Sequence, residues 1–212
     1  MEARLIFDRA TARLGDAVFG FQAPAPPGAA PLETGTATKP ADAKQAAAPA
    51  VRDALFSVQS ARVAELCLFL RDEPELRFDF LQCLTAVDWP KREVQEVVYH
   101  LFSYRHRHSL CVKTEVPRDA PRLPSVAAIW PTANWHEREQ FDLLGVVFEG
   151  HPELRRILMP DDWVGHPMRK DFHEPKSYRG MPTSRPSPME LLQAYDRAHP
   201  SGVPVSDKDK AP

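Results

Sequence analysis

The chain has 212 residues, 43% apolar and 26% charged, which suits one soluble domain of ordinary size with extensions and argues against a second full core. Its 27 basic residues against 29 acidic ones leave a net charge of −2, so there is no basic field to gather phosphates, and nucleic acid is not an expected partner. Cys67, Cys83 and Cys111 are too scattered for a disulfide framework and read as reduced cytosolic thiols; the opening residues lack the apolar run of a secretory leader, and no run approaches the roughly 18 to 20 apolar residues of a spanning helix.

Within residues 1–22, Leu5, Ile6, Arg9 and Arg13 recur at helical spacing, predicting a short amphipathic helix from Glu2 to Leu14 that ends near Gly15. Residues 23–50 hold eleven alanines, six prolines and a single large aliphatic, Leu32. Such a segment has little apolar surface to offset its ordering entropy, so it reads as a disordered linker.

Residues 51–148 carry the expected α+β core, a small mixed or antiparallel sheet with packed helices. Ala54, Phe56 and Val58 alternate as in a strand, and Ser60 is placed to cap a helix with Val63, Leu66, Cys67 and Leu70 on one face. Leu84 to Asp88 reads as a short strand. Val94 to Ser103 and Ser109 to Glu115 alternate on both sides of the polar bend Tyr104 to His108, predicting an antiparallel hairpin. After Pro131, Thr132 or Asn134 is placed to cap a helix that runs through Phe141 and stops at Gly145.

Residues 149–185 show neither period, yet contain Leu154, Ile157, Leu158, Met159, Trp163, Met168 and Phe172. The expectation is an extended, irregular strap stabilised by lying across another surface. Residues 186–212 open with Ser187-Pro188-Met189-Glu190, a capping box with proline at the first helical position, before a short helix to about Ala198 and a flexible tail.

Three scattered cysteines cannot supply the closely spaced thiolates of an iron-sulfur or zinc site, and no dinucleotide fingerprint or complete phosphate loop occurs. His106 and His108 share a hairpin end whose basic character fits a solvated bend better than a metal site. The densest polar cluster is Trp135 to Asp142. On a helix Glu139 and Asp142 lie one turn apart and Arg138 reaches Asp142 at i,i+4. One reading is a metal-dependent hydrolase using Glu137, Glu139 and Asp142 as acid/base or metal-binding carboxylates. The other is an ion-pair network that fixes the helix, favoured because no serine or cysteine nucleophile with a histidine partner stands beside it. Two Gly-His-Pro triplets follow, Gly150 to Pro152 and Gly165 to Pro167, each trailed by a basic pair. Glu153, Asp161, Asp162, Asp171 and Glu174 balance those pairs, which suits salt bridging across an interface.

The run from Trp135 to Leu158, W-H-E-R-E-Q-F-D-L-L-G-V-V-F-E-G-H-P-E-L-R-R-I-L, together with Asp162 to Phe172, D-W-V-G-H-P-M-R-K-D-F, closely resembles the family of the 30 kDa subunit, or C subunit, of respiratory NADH-quinone oxidoreductase (complex I). Leu144 departs from an aromatic residue frequent in that family, and His173-Glu174 separate Phe172 from Pro175. The resemblance implies a cofactor-free subunit of the peripheral arm, with FMN and iron-sulfur clusters in partner chains that pass electrons from NADH to quinone and drive proton translocation. It implies contact with the D and B subunits of the quinone module, on the cytoplasmic face of the bacterial inner membrane, with membrane contact only through the complex. An equivalent subunit of a related membrane-bound hydrogenase or other quinone-module oxidoreductase is the nearest alternative. The residues it marks are Glu137, Arg138, Glu139, Asp142 and Gly145 on the helix, and His151, Pro152, Arg155, Arg156, Trp163, Gly165, His166, Pro167, Arg169, Lys170 and Asp171 along the strap. No catalytic or cofactor-binding residue is expected in this chain alone.

Overall fold

The computed structural model describes residues 3–24, 53–183 and 187–198, so most of the alanine-proline linker and the final tail lie outside the described residues. The chain divides into two units between Phe172 and His173.

The first unit is built on a five-stranded sheet in the order β1-β2-β5-β4-β3. Its strands are β1 (Val18–Gln22), β2 (Leu55–Val58), β3 (Phe80–Trp89), β4 (Val94–Ser103) and β5 (His108–Pro117). Only β2 and β5 run parallel; the other pairs are antiparallel. The alternation in Val94–Ser103 sets the hairpin register, with Val97 opposite Thr114 and Tyr99 opposite Val112. Val97, Tyr99, Leu101, Leu110 and Val112 are buried in the main core, whereas Val98 and Cys111 pack with Leu55 in a small cluster on the other face.

Three helices cover the core. α1 (Ala3–Leu14) buries Ile6, Ala10 and Leu14, and α2 (Val63–Asp72) buries Val63, Leu66, Cys67 and Leu70, the face that helical spacing predicts. α3 (Ala133–Leu144) packs beside β3, where the Gln140 amide oxygen accepts a 3.0 Å hydrogen bond from the Ala86 N–H. That bond satisfies a donor on the sheet's outer strand, which among the described residues has no neighbouring strand on that side.

The structure corrects the sequence reading at several points. Residues 1–22 are not a helix alone, because Val18–Gln22 crosses to pair with β2, which brings α1 onto the core. The strand read as Leu84 to Asp88 extends to ten residues, held by its long ladder with β4. Ser60 lies inside a 3-10 turn, Ser60–Arg62, and neither α2 nor α3 carries a side-chain cap. Tight backbone turns take over that task at α3, with the N–H groups of Ala133, Asn134 and Trp135 donating to Trp130, Pro131 and Thr132. A second sheet, β6 (Arg122–Pro124) beside β7 (Val147–Glu149), is too short to show a period in sequence.

In the second unit, Ser177–Tyr178 (β8) and Met181–Pro182 (β9) form a hairpin within the segment read as irregular strap. Arg179 and Gly180, at φ 49° and 81°, make its turn, a pair of left-handed residues that suits two-residue hairpins. α4 (Pro188–Ala198) opens with the reciprocal capping box, Ser187 N–H to Glu190 at 2.8 Å and Glu190 N–H to Ser187 Oγ at 3.1 Å. Among the described residues no helix is long and apolar enough to cross a membrane.

Candidate functional site

A helix leaves its last carbonyls without internal partners, and the end of α3 faces the segment that follows it. Gly145, at φ 80°, turns the chain away and donates to the carbonyls of Gln140 and Phe141. The strap supplies the next donors. His166 Nδ1 lies 2.9 Å from the Asp142 carbonyl, and the Met168 N–H donates to the Leu143 carbonyl at 3.0 Å. Gln95 of β4 donates to the Leu144 carbonyl at 3.1 Å. A carbonyl only accepts, so His166 carries its proton on Nδ1. Glycine at 145 is required twice: by its positive φ, and because a Cβ there would sit 2.7 Å from His166 Nε2.

Asp142 is the centre of this arrangement. It is fully buried, its Oδ2 accepts the successive N–H groups of Ile157, Leu158 and Met159 at 3.0, 2.7 and 2.8 Å, and its Oδ1 pairs with Arg156 at 2.7 Å. Burial works against its charge, yet the three backbone donors and the guanidinium together hold the carboxyl below the usual aspartate range. Arg156 also reaches the Gly165 carbonyl at 3.1 Å, tying the two parts of the strap together.

The expected i,i+4 pair between Arg138 and Asp142 does not form. Arg138 instead donates to the carbonyls of Arg155 and Arg156 at 3.3 and 3.4 Å and lies over the Trp135 ring at 5.3 Å. Tertiary partners therefore take both charged groups of this helix face. Glu139 is half-buried and shares none of the partners of Asp142. Glu137 turns into the core, accepting from Ser125 Oγ at 2.6 Å and from the Val126 N–H at 2.7 Å. Burial pushes its carboxyl up to about 7 against the pull of those two donors. His151 Nε2 lies 4.0 Å from Glu137 and 3.2 Å from the Asn134 carbonyl, while its Nδ1 accepts the Glu153 N–H at 3.0 Å. One nitrogen donates and the other accepts, which is the neutral imidazole.

A second anchor, not read from the sequence, holds the far end of the strap. Asp88, buried at the end of β3, takes Arg118 in two bonds of 2.7 and 3.0 Å and the Lys170 N–H at 2.8 Å. The Arg118 guanidinium, followed by the backbone donor, holds the Asp88 carboxyl below its ordinary range. Arg118 also pairs with Asp171 at 2.7 Å, and Arg169 donates to the Arg118 carbonyl. An acid at alternation register in a strand and a basic residue just past another gave the only sequence signal for this clasp.

The remaining marked residues are more peripheral. Arg155 is exposed and paired with Glu153 at 2.7 Å, and Pro152 is exposed. Trp163 and Pro167 are half-buried, and Gly165, at φ 85°, lets the Phe172 ring pack close. While Glu153, Arg155 and Asp161 stay exposed, Arg156, Arg169 and the Lys170 N–H find partners on this chain's own helix and strand ends, which corrects in part the expectation that only another surface could provide shelter. Several large apolar groups do not: Trp135, Leu158, Val164 and Met168 stay exposed, Val164 at 85%.

This geometry falls within a known family. A model of the family described as respiratory-chain NADH dehydrogenase, 30 Kd subunit, matches residues 56–178, more than half of the chain and including both anchors. The chain belongs to this family. The C subunit of NADH-quinone oxidoreductase from Roseiflexus castenholzii is 52% identical over 120 residues, covering 56% of this chain and 69% of the relative. Its namesake from Chlorobium phaeobacteroides is 47% identical over 118 residues, covering 55% and 71%. Among solved structures, a chain of the membrane-bound sulfane sulfur reductase, an archaeal respiratory membrane complex, is 25% identical with a TM-score of 0.56 and covers 99% of each chain. In this chain the matched region holds most of the sheet, α3 and the anchored strap.

Proposed function

We propose that this chain is a cofactor-free peripheral-arm subunit of the proton-translocating NADH-quinone oxidoreductase, supporting the quinone-reducing module while electrons pass from NADH through FMN and iron-sulfur clusters of partner subunits to quinone. The observation that carries this reading is the anchored strap. Asp142 and Asp88 fix its backbone, yet Leu158, Val164 and Met168 of the strap and Trp135 of α3 stay exposed. A rigid backbone presenting exposed apolar groups rimmed by charge is what an interface between subunits needs. The D and B subunits of the quinone module are the proposed partners, on the cytoplasmic face of the inner membrane, with membrane contact only through the complex.

The hydrolase reading finds no support in the carboxylates. Asp142 spends its oxygens on four donors and Glu137 on two inside the core, and among the described residues no group of three or more His, Cys, Asp or Glu side chains, Glu139 included, is placed to hold a metal. A second reading, an equivalent subunit of a related complex with another electron donor, draws on the end-to-end similarity to the sulfane sulfur reductase chain. Purifying the complex through a tag on this chain separates the two. Co-purification of flavin- and cluster-bearing subunits with NADH-dependent quinone reduction supports the first, and a complex that ignores NADH supports the second. A soluble monomer without redox partners overturns both.

A further inference from the structure

The end of the sheet opposite the Asp88–Arg118 clasp carries an arrangement that the proposed function does not use. The bend between β4 and β5 is clamped against the loop from Pro74 to Asp79. His106 Nε2 faces the Pro74 carbonyl at 3.0 Å, His108 Nε2 faces the Leu76 carbonyl at 2.9 Å, and the Tyr104 N–H donates to Asp79 at 3.0 Å. The two imidazoles stack at 5.6 Å with planes 10° apart. This clamp holds Arg77 on one turn beside Arg105 and Arg107 on the other.

Two of those arginines sit where glycine fits best. Arg77 has φ 41° and Arg107 φ 52°, in the left-handed region that a Cβ disfavours. Glu93 and Arg179 adopt the same conformation in other turns, so it follows here from the tight turns themselves, which leave both guanidiniums exposed. Among the described residues none of the three guanidiniums has a carboxylate partner. The acids nearby are engaged: Glu73 and Glu75 with Arg9, Asp53 with Ser109, and Asp79 with the Tyr104 backbone. The three guanidiniums are therefore left without an ion pair among the described residues, although Asp53 and Asp79, bonded to neutral groups, keep their negative charge beside them. Tyr104, 63% exposed and backed by Phe80 and Phe102, stands beside it.

We propose that this tip, Tyr104 to Arg107 with Arg77, is a second docking site, which takes an acidic segment of a partner polypeptide. The proposal rests on the chain's place in a multi-subunit complex. Three arginines without a lysine favour shaped carboxylate partners, because the guanidinium fork binds a carboxylate through two parallel bonds. Exposed tyrosine beside arginine is the composition of protein interface hot spots, whereas anionic lipid is met by larger, lysine-containing clusters. The ten residues of β4 put the tip about 30 Å from the Asp88–Arg118 clasp, at the other end of the sheet.

The test is Tyr104→p-benzoylphenylalanine in the assembled complex within its native membrane, followed by irradiation and mass spectrometry of the adduct. A cross-link to a partner peptide carrying a cluster of Asp and Glu is expected, reduced about tenfold or more by R77E/R105E, because losing a close interfacial charge pair costs at least that in affinity. R92E, at the opposite end of the hairpin, leaves the yield unchanged. An adduct to lipid, an adduct to a peptide without carboxylates, no adduct in an assembled complex, or full yield in the double variant overturns the docking site alone. Absence of the chain from any complex overturns the proposed function as well.

Discussion

Replacing Glu137 with glutamine should stabilise the protein above neutral pH. In the fold the carboxyl is raised from 4.5 to about 7, chiefly by burial, and regains its ordinary value when the chain unfolds. A raised carboxyl releases its proton more readily from the unfolded chain, so stability is greatest below about pH 4.5 and declines as pH rises towards 7. At about 1.4 kcal/mol per pKa unit the cost at pH 8 is about 3 kcal/mol, against about 1 kcal/mol at pH 5. Glutamine removes this slope while keeping an oxygen for the Val126 N–H, and its amide can donate to Ser125 once the hydroxyl rotates. Urea unfolding of the full chain at a series of pH values measures the effect. The gain of Glu137→Gln over the parent should grow by about 2 kcal/mol between pH 5 and pH 8. A variant that is less stable than the parent at pH 8 refutes the reasoning, because it would mean that the charged carboxylate is held better than its burial allows.

Asp142→Asn removes the charge that holds three backbone donors and Arg156, so trypsin should cut after Arg155 and Arg156 at least about tenfold faster than in the parent, read by gel and mass spectrometry. Gly145→Ala forces a Cβ into the left-handed region and against His166, costing about 2 kcal/mol or more in thermal or urea unfolding, and His166→Ala should recover only the steric part. Alanine at both Arg155 and Arg156 should lower complex yield on a native gel. The structure assigns most of that loss to Arg156, since Arg155 meets only Glu153 at the surface, and equal losses from the two single variants would contradict this. The Asp88 carboxyl is held below its ordinary range, so its clasp contributes above the unfolded aspartate pKa near 4 and is lost as pH falls through the folded value; Asp88→Asn should remove that acid-side dependence of protection at Lys170 in hydrogen exchange.

Local pattern was legible wherever one face of an element meets one core. The alternation in Val94–Ser103 and the spacing of Val63, Leu66, Cys67 and Leu70 gave strand and helix with the buried faces observed. The Ser187 to Glu190 capping box and the stop at Gly145 were equally readable, because each depends on neighbours within a few residues. The family, too, was written in the linear run from Trp135 to Phe172.

Partners far apart in the chain were not readable. The strand Val18–Gln22 exists because β2 offers it an edge, and residues 23–54 separate the two in sequence. Asp142 and Arg138 lie one helical turn apart, which suggests a pair, yet each finds better-placed donors and acceptors in residues 155–159. Asp88, Arg118 and Lys170 come from three separate segments and meet only once the sheet and strap have folded. Sequence by itself determined which residues had to be buried and where helices and strands break, since hydrophobic period and backbone preference are local. Only the tertiary structure decided which charge meets which, since a buried carboxylate is stabilised by whatever donors the fold brings within about 3 Å, at any separation along the chain.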